Sequence, residues 1–460
     1  MTAAPAPALR SENPLTGEVL GEVPVAGARQ VAAAVTRARA AAPQWAAADP
    51  AERAAVLERF ADLVDASADE LADLVVAEVG KRRAEAVGEI GWASLTARWY
   101  AAHPPAPERV AGAVVRRLPL GVVAAITPWN VPVTTPAWKW LPALMAGNAV
   151  VWKPSELAPL TAVAVARLWR AAALPDGLLE ILHGDGTVGR ALVDDPGIDG
   201  IHFTGSTATG RSIAVAAAGR LVRCALELGG LNPVIVFDDA DLDQALDDII
   251  AAGTAINGQK CTATRRVLVA EPVARQLLDA LAARVAGLTA GDPADSDTDL
   301  GPLVTRHAAD EARTRVAASV AAGARVVAHS PIPDHPGFFP VTVLGSVAPG
   351  DGLRTRELFA PVIAVETFDG EDEAWTAANA TPYGLAASIH TRDERRWADA
   401  PRHLRAGIVN VNRRGDAVDL EAPFGGLKAS GNGYPEGGLF VYDSLTTHQA
   451  CYIRDQEGTR

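Results

Sequence analysis

The chain has 460 residues, of which 49% are hydrophobic and 21% charged, so it is long enough for two or three domains with large cores. Its formal net charge of −13, without a basic stripe, argues against a nucleic-acid partner. The three cysteines and nine histidines follow neither a disulfide framework nor a metal-binding spacing, which predicts a reducing compartment and no metal.

The N-terminal residues 1–7 lack a basic stretch that leads into an apolar segment, as a secretory leader would have. No run of about 18 uninterrupted apolar residues follows. The sequence therefore predicts a soluble, cytoplasmic protein with no membrane partner.

Residues 26–89 have a helical pattern, because Ala, Leu and Val recur at three- and four-residue spacing between Arg, Asp and Glu. Breaks are expected at Pro43, at Asp49-Pro50 and near Gly80. After residue 120 the period changes, and short apolar runs alternate with helical stretches. These runs are 122–126, 149–152, 178–182, 200–203 and 223–228.

A second series of apolar runs follows, again with helices between them. Its members are 233–237, 266–270, 325–329, 338–344, 361–367, 385–390 and 407–411. Such alternation is typical of doubly wound parallel sheets. The predicted fold class is therefore α/β, with two doubly wound lobes, a Rossmann-like cofactor domain and a catalytic domain, joined near Gly229-Gly230.

The tail at 439–452 is rich in Thr, Val and Tyr and reads as a strand after the second lobe has closed. A terminal strand without a local partner predicts pairing across an oligomer interface. The alternative is an edge strand of the chain's own sheet.

Cys261 lies in Asn-Gly-Gln-Lys-Cys-Thr at 257 to 262, downstream of the Glu-Leu-Gly-Gly turn that begins at Glu227. Far upstream, Pro-Trp-Asn at 128 to 130 contributes the amide of Asn130. A thiol, a carboxylate and an amide can supply a nucleophile, a base and an oxyanion donor, which are the parts of acyl-enzyme chemistry. The other two cysteines, Cys224 and Cys451, have no such context and are expected to be small buried hydrophobes.

Three patterns are relevant to the binding of a dinucleotide. The run Gly184-Asp-Gly-Thr-Val-Gly189 matches Gly-x-Gly-x-x-Gly, but two strands precede it, and a tight strand-to-helix turn explains it equally well. Lys153-Pro-Ser-Glu156 leaves a strand end with a cation and an anion that suit ribose hydroxyls; the alternative is a surface ion pair. Phe203-Thr-Gly-Ser206 leads into a helix whose free N–H groups can meet a pyrophosphate.

With these motifs the chain resembles the aldehyde dehydrogenase superfamily along essentially its whole length. Further motifs in the family's order are Glu-Leu-Phe-Ala-Pro-Val at 357 to 362, Val-Asn at 409 to 410 and Pro-Phe-Gly-Gly-Leu-Lys-Ala-Ser-Gly at 423 to 431. Pro-Ala-Trp-Lys at 136 to 139 and Cys-Thr-Ala-Thr at 261 to 264 look most like the semialdehyde-oxidising branches.

Three features depart from the family pattern. Leu231 stands where the family commonly has Lys, and Ala360 where it has Gly. The segment between Trp99 and Arg117, which usually holds a longer subunit-joining hairpin, looks shortened. The expected assembly is therefore a homodimer, with the family's usual tetramer as the alternative.

The resemblance implies oxidation of an aldehyde to the carboxylic acid with NAD, or alternatively NADP. Cys261 would attack as a thiolate, Asn130 would hold the oxyanion, Glu227 would activate the hydrolytic water, and Lys139 would support the site. Cofactor contacts are expected from Thr127, Trp129, Lys153, Ser155, Glu156, Gly186, Gly205, Ser206, Leu228, Glu357 and Phe359. Substrate contacts are expected from Trp138, Arg413, Arg414 and Phe424.

The two arginines Arg413 and Arg414 favour an anionic semialdehyde, because a guanidinium grips a planar anion through two hydrogen bonds. The alternative is a pair of solvated loop arginines that Asp416, Asp419 and Glu421 neutralise. The implied domains are a cofactor-binding domain (1–111 and 121–229), a catalytic domain (230–435) and a small β oligomerisation element (112–120 and 436–460).

Two other functions share these motifs. An acyl-transferring relative, linked to coenzyme A or phosphate, would share Cys261, but such enzymes typically lack a carboxylate at Glu227. A catalytically retired binding protein on the same scaffold would not need to retain these groups together.

Overall fold

The computed structural model describes residues 7–453. Most of the N-terminal stretch predicted to carry no leader, and residues 454–460 of the predicted oligomerisation element, lie outside this range. The chain opens with an antiparallel strand pair that sequence analysis did not predict, then four helices and a short hairpin. These elements are β1 (Ala8–Glu12), β2 (Val19–Pro24), α1 (Ala28–Ala47), α2 (Pro50–Ala66), α3 (Ala68–Val79), α4 (Arg83–Ala102), β3 (Glu108–Val110) and β4 (Ala113–Pro119).

Two of the three predicted helix breaks are confirmed. Asp49 caps α2 by accepting a hydrogen bond from the N–H of Ala51, and Gly80 ends α3 with a φ of +75°. The break predicted at Pro43 is wrong, because α1 continues through it to Ala47. Pro43 is exposed in the last turn, where solvent can bind the carbonyl that loses its N–H partner.

The first predicted lobe is a five-stranded parallel sheet of order β7-β6-β5-β8-β9. All five apolar runs after residue 120 form its strands. The elements are β5 (Val122–Ile126), α5 (Thr134–Met145), β6 (Ala149–Lys153), α6 (Pro159–Ala171), β7 (Leu179–Ile181), α7 (Gly186–Asp194), β8 (Gly200–Thr204), α8 (Thr207–Gly219) and β9 (Arg223–Glu227).

The second lobe is a seven-stranded sheet of order β12-β13-β14-β11-β10-β16-β17. Its elements, with a 3-10 turn at Ala255–Gly258, are β10 (Asn232–Val236), α9 (Leu242–Thr254), β11 (Thr264–Ala270), α10 (Glu271–Ala286), α11 (Arg306–Ala321), β12 (Arg325–His329), β13 (Thr342–Gly345), α12 (Gly352–Thr355), β14 (Val362–Phe368), α13 (Glu371–Asn379), β15 (Tyr383–Gly384), β16 (Ala386–His390), α14 (Glu394–His403) and β17 (Ile408–Val411). The expectation of a wholly parallel sheet is wrong for β12, which runs antiparallel to β13. The segment between these two strands contains no crossover helix, and a parallel pair would need one.

Helices cover both faces of the two sheets. Every residue of β5, β6, β10 and β11 is buried, as expected for parallel strands packed on both sides. Within residues 7–453 no helix is both long and apolar enough to cross a membrane.

The chain ends in β18 (Leu427–Lys428), which pairs with β15, then α15 (Tyr442–Leu445) and β19 (Thr446–Tyr452). The prediction that the terminal strand lacks a local partner is wrong, because β19 pairs antiparallel with β4 along its whole length. An ion pair of 2.6 Å between Asp443 and Arg117 ties α15 to β4 and so brings the strand alongside. The sheet order is β19-β4-β3, which leaves one edge of β19 without a partner among the described strands. Its strand β3 falls within the range predicted for the cofactor domain.

Candidate active site

The parallel strands of the five-stranded sheet end at one edge, which faces a cavity of about 780 Å³. Ligands of open α/β sheets bind at such carboxyl ends. The opposite wall is the loop before β11, which carries Cys261. The cavity brings together many of the predicted site residues: Trp129, Asn130, Trp138, Gly205, Ser206, Leu228, Cys261, Glu357, Phe359, Arg414 and Phe424.

The remaining predicted residues do not line this cavity. Lys153 is buried at the end of β6, and its Nζ lies 3.2 Å from Oε2 of Glu156, whose side chain is 44% exposed. Ser155 is buried beside them, and Thr127 accepts a hydrogen bond from the indole of Trp152.

The glycine run at 184–189 lies close to Lys153. Gly186 begins α7, and a Cβ on Gly189 would lie 3.5 Å from the Lys153 side chain. Asp185 caps this helix by accepting from the N–H of Thr187. The run is thus a capped strand-to-helix turn beside the lysine, outside the main cavity.

The backbone before Cys261 has an unusual conformation. Ile256 and Asn257 have φ values of 51° and 55°, and Gly258 has 73°. Left-handed conformations are unfavourable for a β-branched residue such as Ile, so surrounding contacts must hold them. A Cβ on Gly258 would lie 2.4 Å from the backbone N of Pro361, so only glycine fits there.

Side-chain hydrogen bonds hold this loop in place. Asn257 donates to the carbonyls of Gly80 and Pro302 at 3.0 and 2.9 Å, and accepts from the N–H of Gly301. Gln259 accepts from the N–H of Val304 at 2.9 Å. The loop is therefore fixed by contacts to two separate segments of the chain, at residue 80 and at 301–304.

Cys261 is half-buried at the cavity wall, whereas Cys224 is buried in β9. Burial, together with the Glu357 carboxylate, raises the pKa of the Cys261 thiol to about 12, while Lys260 opposes them. The resting side chain is therefore a neutral thiol, which needs a proton acceptor to become a nucleophile. Cys451 lies on β19, away from the cavity.

Asn130 is buried and reaches the same loop. Its Nδ2 donates to the carbonyl of Gln259 at 2.9 Å, two residues before Cys261. The start of α5, which follows Asn130, is anchored by Glu89 of α4, whose carboxylate accepts from the N–H groups of Val133 and Thr134 at 2.7 and 3.2 Å. The amide is thus held beside the thiol by a buried cap.

Glu227 is the last residue of β9 and only 3% exposed. Its Oε2 is buried and has no hydrogen-bond partner among the described residues. Burial, together with the negative charge of Glu436, raises its pKa well above the ordinary value, while Lys139 opposes this. Lys139 itself forms a buried ion pair with Glu436.

Sequence analysis did not identify Glu436, which lies outside every motif. Only its place after Gly-Tyr-Pro at 433 to 435, just past the motif at 423 to 431, could have drawn attention to it. The fold brings it to Lys139, one of the residues predicted to support the site.

The Gly-Gly turn after Glu227 allows close approach of other groups. A Cβ on Gly229 would lie 2.3 Å from Oε2 of Glu357, and one on Gly230 would lie 2.7 Å from the carbonyl O of Cys261. Ser430, from the last motif, donates to the Gly229 carbonyl at 2.7 Å. Burial raises the pKa of Glu357 to about 7, although Arg265 opposes this.

Aromatic side chains form two pairs in the cavity. Trp129 meets Phe359 edge to face, with ring centroids 5.7 Å apart. Trp138 meets Phe424 in the same way at 5.4 Å, and Trp92, which sequence analysis missed, lies 6.5 Å from Trp138. Trp92 lies just beyond the predicted helical range 26–89 and in no motif, so no sequence signal marked it.

The two arginines predicted to contact substrate have different positions. Arg414 lines the cavity and donates twice to the buried carboxylate of Asp416, which also accepts from Lys260 at 2.7 Å. Arg413 does not line the cavity, since it is 55% exposed and lies 3.6 Å from Asp419. The loop points it outward, so the structure does not bring Arg413 to the site.

The edge of the five-stranded sheet fits a dinucleotide. Thr204 Oγ1 is buried without a hydrogen-bond partner among the described residues, and it lines the cavity next to Gly205. Ser206 caps α8, whose first turn leaves N–H groups open toward an anion. These hydroxyl and N–H donors match the acceptor oxygens of a pyrophosphate.

The sequence model of the Aldehyde dehydrogenase family matches residues 2–450. The 3,6-anhydro-alpha-L-galactose dehydrogenase of Streptomyces coelicolor is 40% identical over 457 residues, which cover 96% of this chain and 92% of that protein. An NADP-dependent enzyme of E. coli superposes with a TM-score of 0.92 at 35% identity, covering 97% of this chain and 94% of the other. An NAD+ complex of an aldehyde dehydrogenase from Bacillus cereus gives 0.93 at 32%, covering 98% and 94%. The chain therefore belongs to the aldehyde dehydrogenase family, and it is an NAD(P)-dependent enzyme that oxidises an aldehyde to the carboxylic acid.

Proposed function

We propose that Cys261 is the nucleophile and that oxidation proceeds through a thioester on its sulfur. The observation that carries this proposal is the convergence of Cys261 and Asn130 in one cavity, with Glu227 buried beside it. Cys261 gives its proton to a water molecule, and its sulfur adds to the aldehyde carbon to give a tetrahedral alkoxide. A raised thiol pKa makes a nearby proton acceptor necessary.

Asn130 is the proposed donor to that alkoxide. Its Nδ2 is already directed at the loop through the Gln259 carbonyl, so the second amide hydrogen is available to a substrate oxygen. The backbone N–H of Cys261 is the second proposed donor. One donor of this kind contributes about 3 kcal/mol to transition-state stabilisation in a dry site.

NAD(P), when bound, supplies the oxidising chemistry by accepting the hydride that the adduct must lose to become a thioester. Lys153 and Glu156 are the proposed contacts of the adenosine ribose, and Ser206 and Gly205 those of the pyrophosphate. Glu357 is the proposed partner of the nicotinamide ribose. The further proposed cofactor contacts are Thr127, Trp129, Ser155, Gly186, Leu228 and Phe359.

Glu227 is the proposed base for thioester hydrolysis. It removes a proton from a water molecule, whose oxygen attacks the thioester carbon and releases the carboxylic acid and Cys261. Its buried, unpartnered Oε2 and raised pKa suit a group that takes up and returns a proton. Lys139 and Glu436 form a buried ion pair whose two charges act on Glu227 in opposite directions.

The cofactor preference is proposed to be NAD over NADP. The exposed Glu156 carboxylate can accept from a ribose 2′-hydroxyl and would repel a phosphate at that position. Equal catalytic efficiency with both cofactors would show that Glu156 does not contact the ribose.

The substrate is proposed to be an aldehyde with an anionic far end, such as a semialdehyde. Lys260 and Arg414 share the carboxylate of Asp416, so each cation keeps N–H donors that can bind an anionic group of the substrate. Trp138 and Phe424 would contact the carbon chain. A graded panel of anionic and neutral aldehydes tests this, and a strong preference for neutral ones would exclude it.

The proposed assembly is at least a homodimer formed through the free edge of β19. Exposed apolar side chains flank that edge, among them Tyr452 at 78% and Ile453 at 64%. This would make the segments 112–120 and 436–460, which contain β4 and β19, the oligomerisation element beside a cofactor domain (1–111 and 121–229) and a catalytic domain (230–435). A wild-type protein that sediments as a monomer would contradict the proposal.

The experiment that tests the thioester mechanism compares wild type with Cys261→Ala. The variant should form no NADH from any aldehyde yet keep NAD affinity, measured by quenching of tryptophan fluorescence. Undiminished oxidation would remove Cys261 from the mechanism. The assay omits coenzyme A and inorganic phosphate, so a strict requirement for either would instead favour acyl transfer.

A further inference from the structure

Arg265, the second residue of β11, places a guanidinium between the two segments that carry Cys261 and Glu357. Its side chain is nearly fully buried, at 4% exposed. Nη1 donates to the Ala360 carbonyl at 2.6 Å, and Nη2 donates to the carbonyls of Gly258 and Lys260. These three carbonyls belong to the loop before Cys261 and to the segment after Glu357.

The charge of Arg265 is not matched by an ion pair. No carboxylate within residues 7–453 is among its hydrogen-bond partners, and its Nε is buried without an acceptor. A buried charge is costly unless anions lie nearby. Burial lowers the pKa of Arg265 to about 10, and negative charge on Glu357 and on the thiolate form of Cys261 opposes this lowering.

We propose that Arg265 is a positioning residue for the nucleophile: it locks the Cys261 loop against the Glu357 segment and supplies the fixed positive charge that favours the thiolate. This inference rests on the proposed role of Cys261. The other charged groups around the thiol are Lys260, Glu227 and Glu357 itself.

Apart from Arg265, two carboxyl groups and one ammonium group act on the Cys261 thiol. Two carboxylates raise the pKa of Cys261, and Lys260 opposes them while its Nζ is held 2.7 Å from Asp416. Arg315, on α11, is a further cation that acts on Glu357. Arg265 is the cation hydrogen-bonded to the carbonyl immediately before Cys261, so its removal should disfavour the thiolate.

Alkylation of Cys261 by iodoacetamide, followed by peptide mass spectrometry without cofactor, measures the thiolate directly. Over pH 6–10, Arg265→Met should slow alkylation about tenfold at a given pH, as a shift of one pKa unit would. Arg265→Lys, which keeps the charge, should remain within about threefold of wild type. Arg265→Gln keeps an N–H donor but no charge, so its alkylation of Cys261 should be as slow as in Arg265→Met. If Arg265→Met does not fold, Arg265→Gln provides the test.

Arg53 provides a matched control. It is 6% exposed and donates to the carbonyls of Met145, Trp45 and Ala48, so it resembles Arg265 in burial and bonding but lies outside the cavity. Arg53→Met should leave the alkylation profile unchanged. Wild-type rates in both uncharged Arg265 variants, or an equal loss in Arg265→Lys and Arg265→Met, would overturn the proposal. Failure of the nucleophile assignment looks different, because Cys261→Ala would then keep forming NADH.

Discussion

Replacing Lys139 by Met should destabilise the protein more than replacing its partner Glu436 by Gln. The two side chains are 1% and 4% exposed, so neither charge can be solvated where it lies. Removal of one member of a buried pair costs about 3–5 kcal/mol, because the other charge stays buried without a partner. In Lys139→Met the stranded group is a carboxylate beside Glu227, so two acidic groups face each other without a cation.

Removal of the Glu436 carboxylate should cost less stability than removal of the Lys139 ammonium. In Glu436→Gln the ammonium of Lys139 still has Glu227 nearby, and the Gln amide oxygen can accept a hydrogen bond from it. The double variant Lys139→Met/Glu436→Gln removes both charges and should therefore be more stable than Lys139→Met alone.

Thermal unfolding midpoints at pH 8 measure this order. We expect wild type highest, then Glu436→Gln, then the double variant, with Lys139→Met lowest. A double variant that unfolds at or below the midpoint of Lys139→Met would refute the reasoning, since additive losses mean that the two charges do not interact.

Three further changes test the site. Glu227→Gln should give a single burst of NADH and a stable acyl adduct on Cys261 by mass spectrometry; an unchanged steady-state rate would contradict its role as base. Burial raises the pKa of Glu357 from 4.5 to about 7, so stability is lost as pH rises between these values, by up to about 3 kcal/mol. The difference in the free energy of unfolding between Glu357→Gln and wild type should therefore shift in favour of the variant as pH rises from 5 to 8, as measured by urea unfolding. A difference that does not change with pH would contradict this prediction. Gly230→Ala, whose Cβ would lie 2.7 Å from the Cys261 carbonyl, should lower kcat at least tenfold with little change in cofactor affinity. An unaltered kcat would show that the Cys261 loop shifts to accommodate the methyl group without loss of catalysis.

The sequence predicted which segments become strands, because short apolar runs between helical stretches reflect burial on both sheet faces. Every run in the two series forms a strand, although the run at 338–344 is shortened to Thr342–Gly345, since Pro340 has no N–H to donate. Motif spacing also indicated Cys261, Glu227 and Asn130 as candidates, since acyl-enzyme chemistry needs those three residue types together.

Only the tertiary structure determined which groups meet across long separations. Glu436 reaches Lys139 over almost 300 residues, and Arg265 contacts backbone carbonyls that carry no sequence signal at all. The pairing of β19 with β4 likewise depends on how the chain folds back after the second lobe. The outward direction of Arg413 depends on the conformation of its loop. Local patterns record burial and turn preference, whereas charge pairing depends on distances that exist only after the chain has folded.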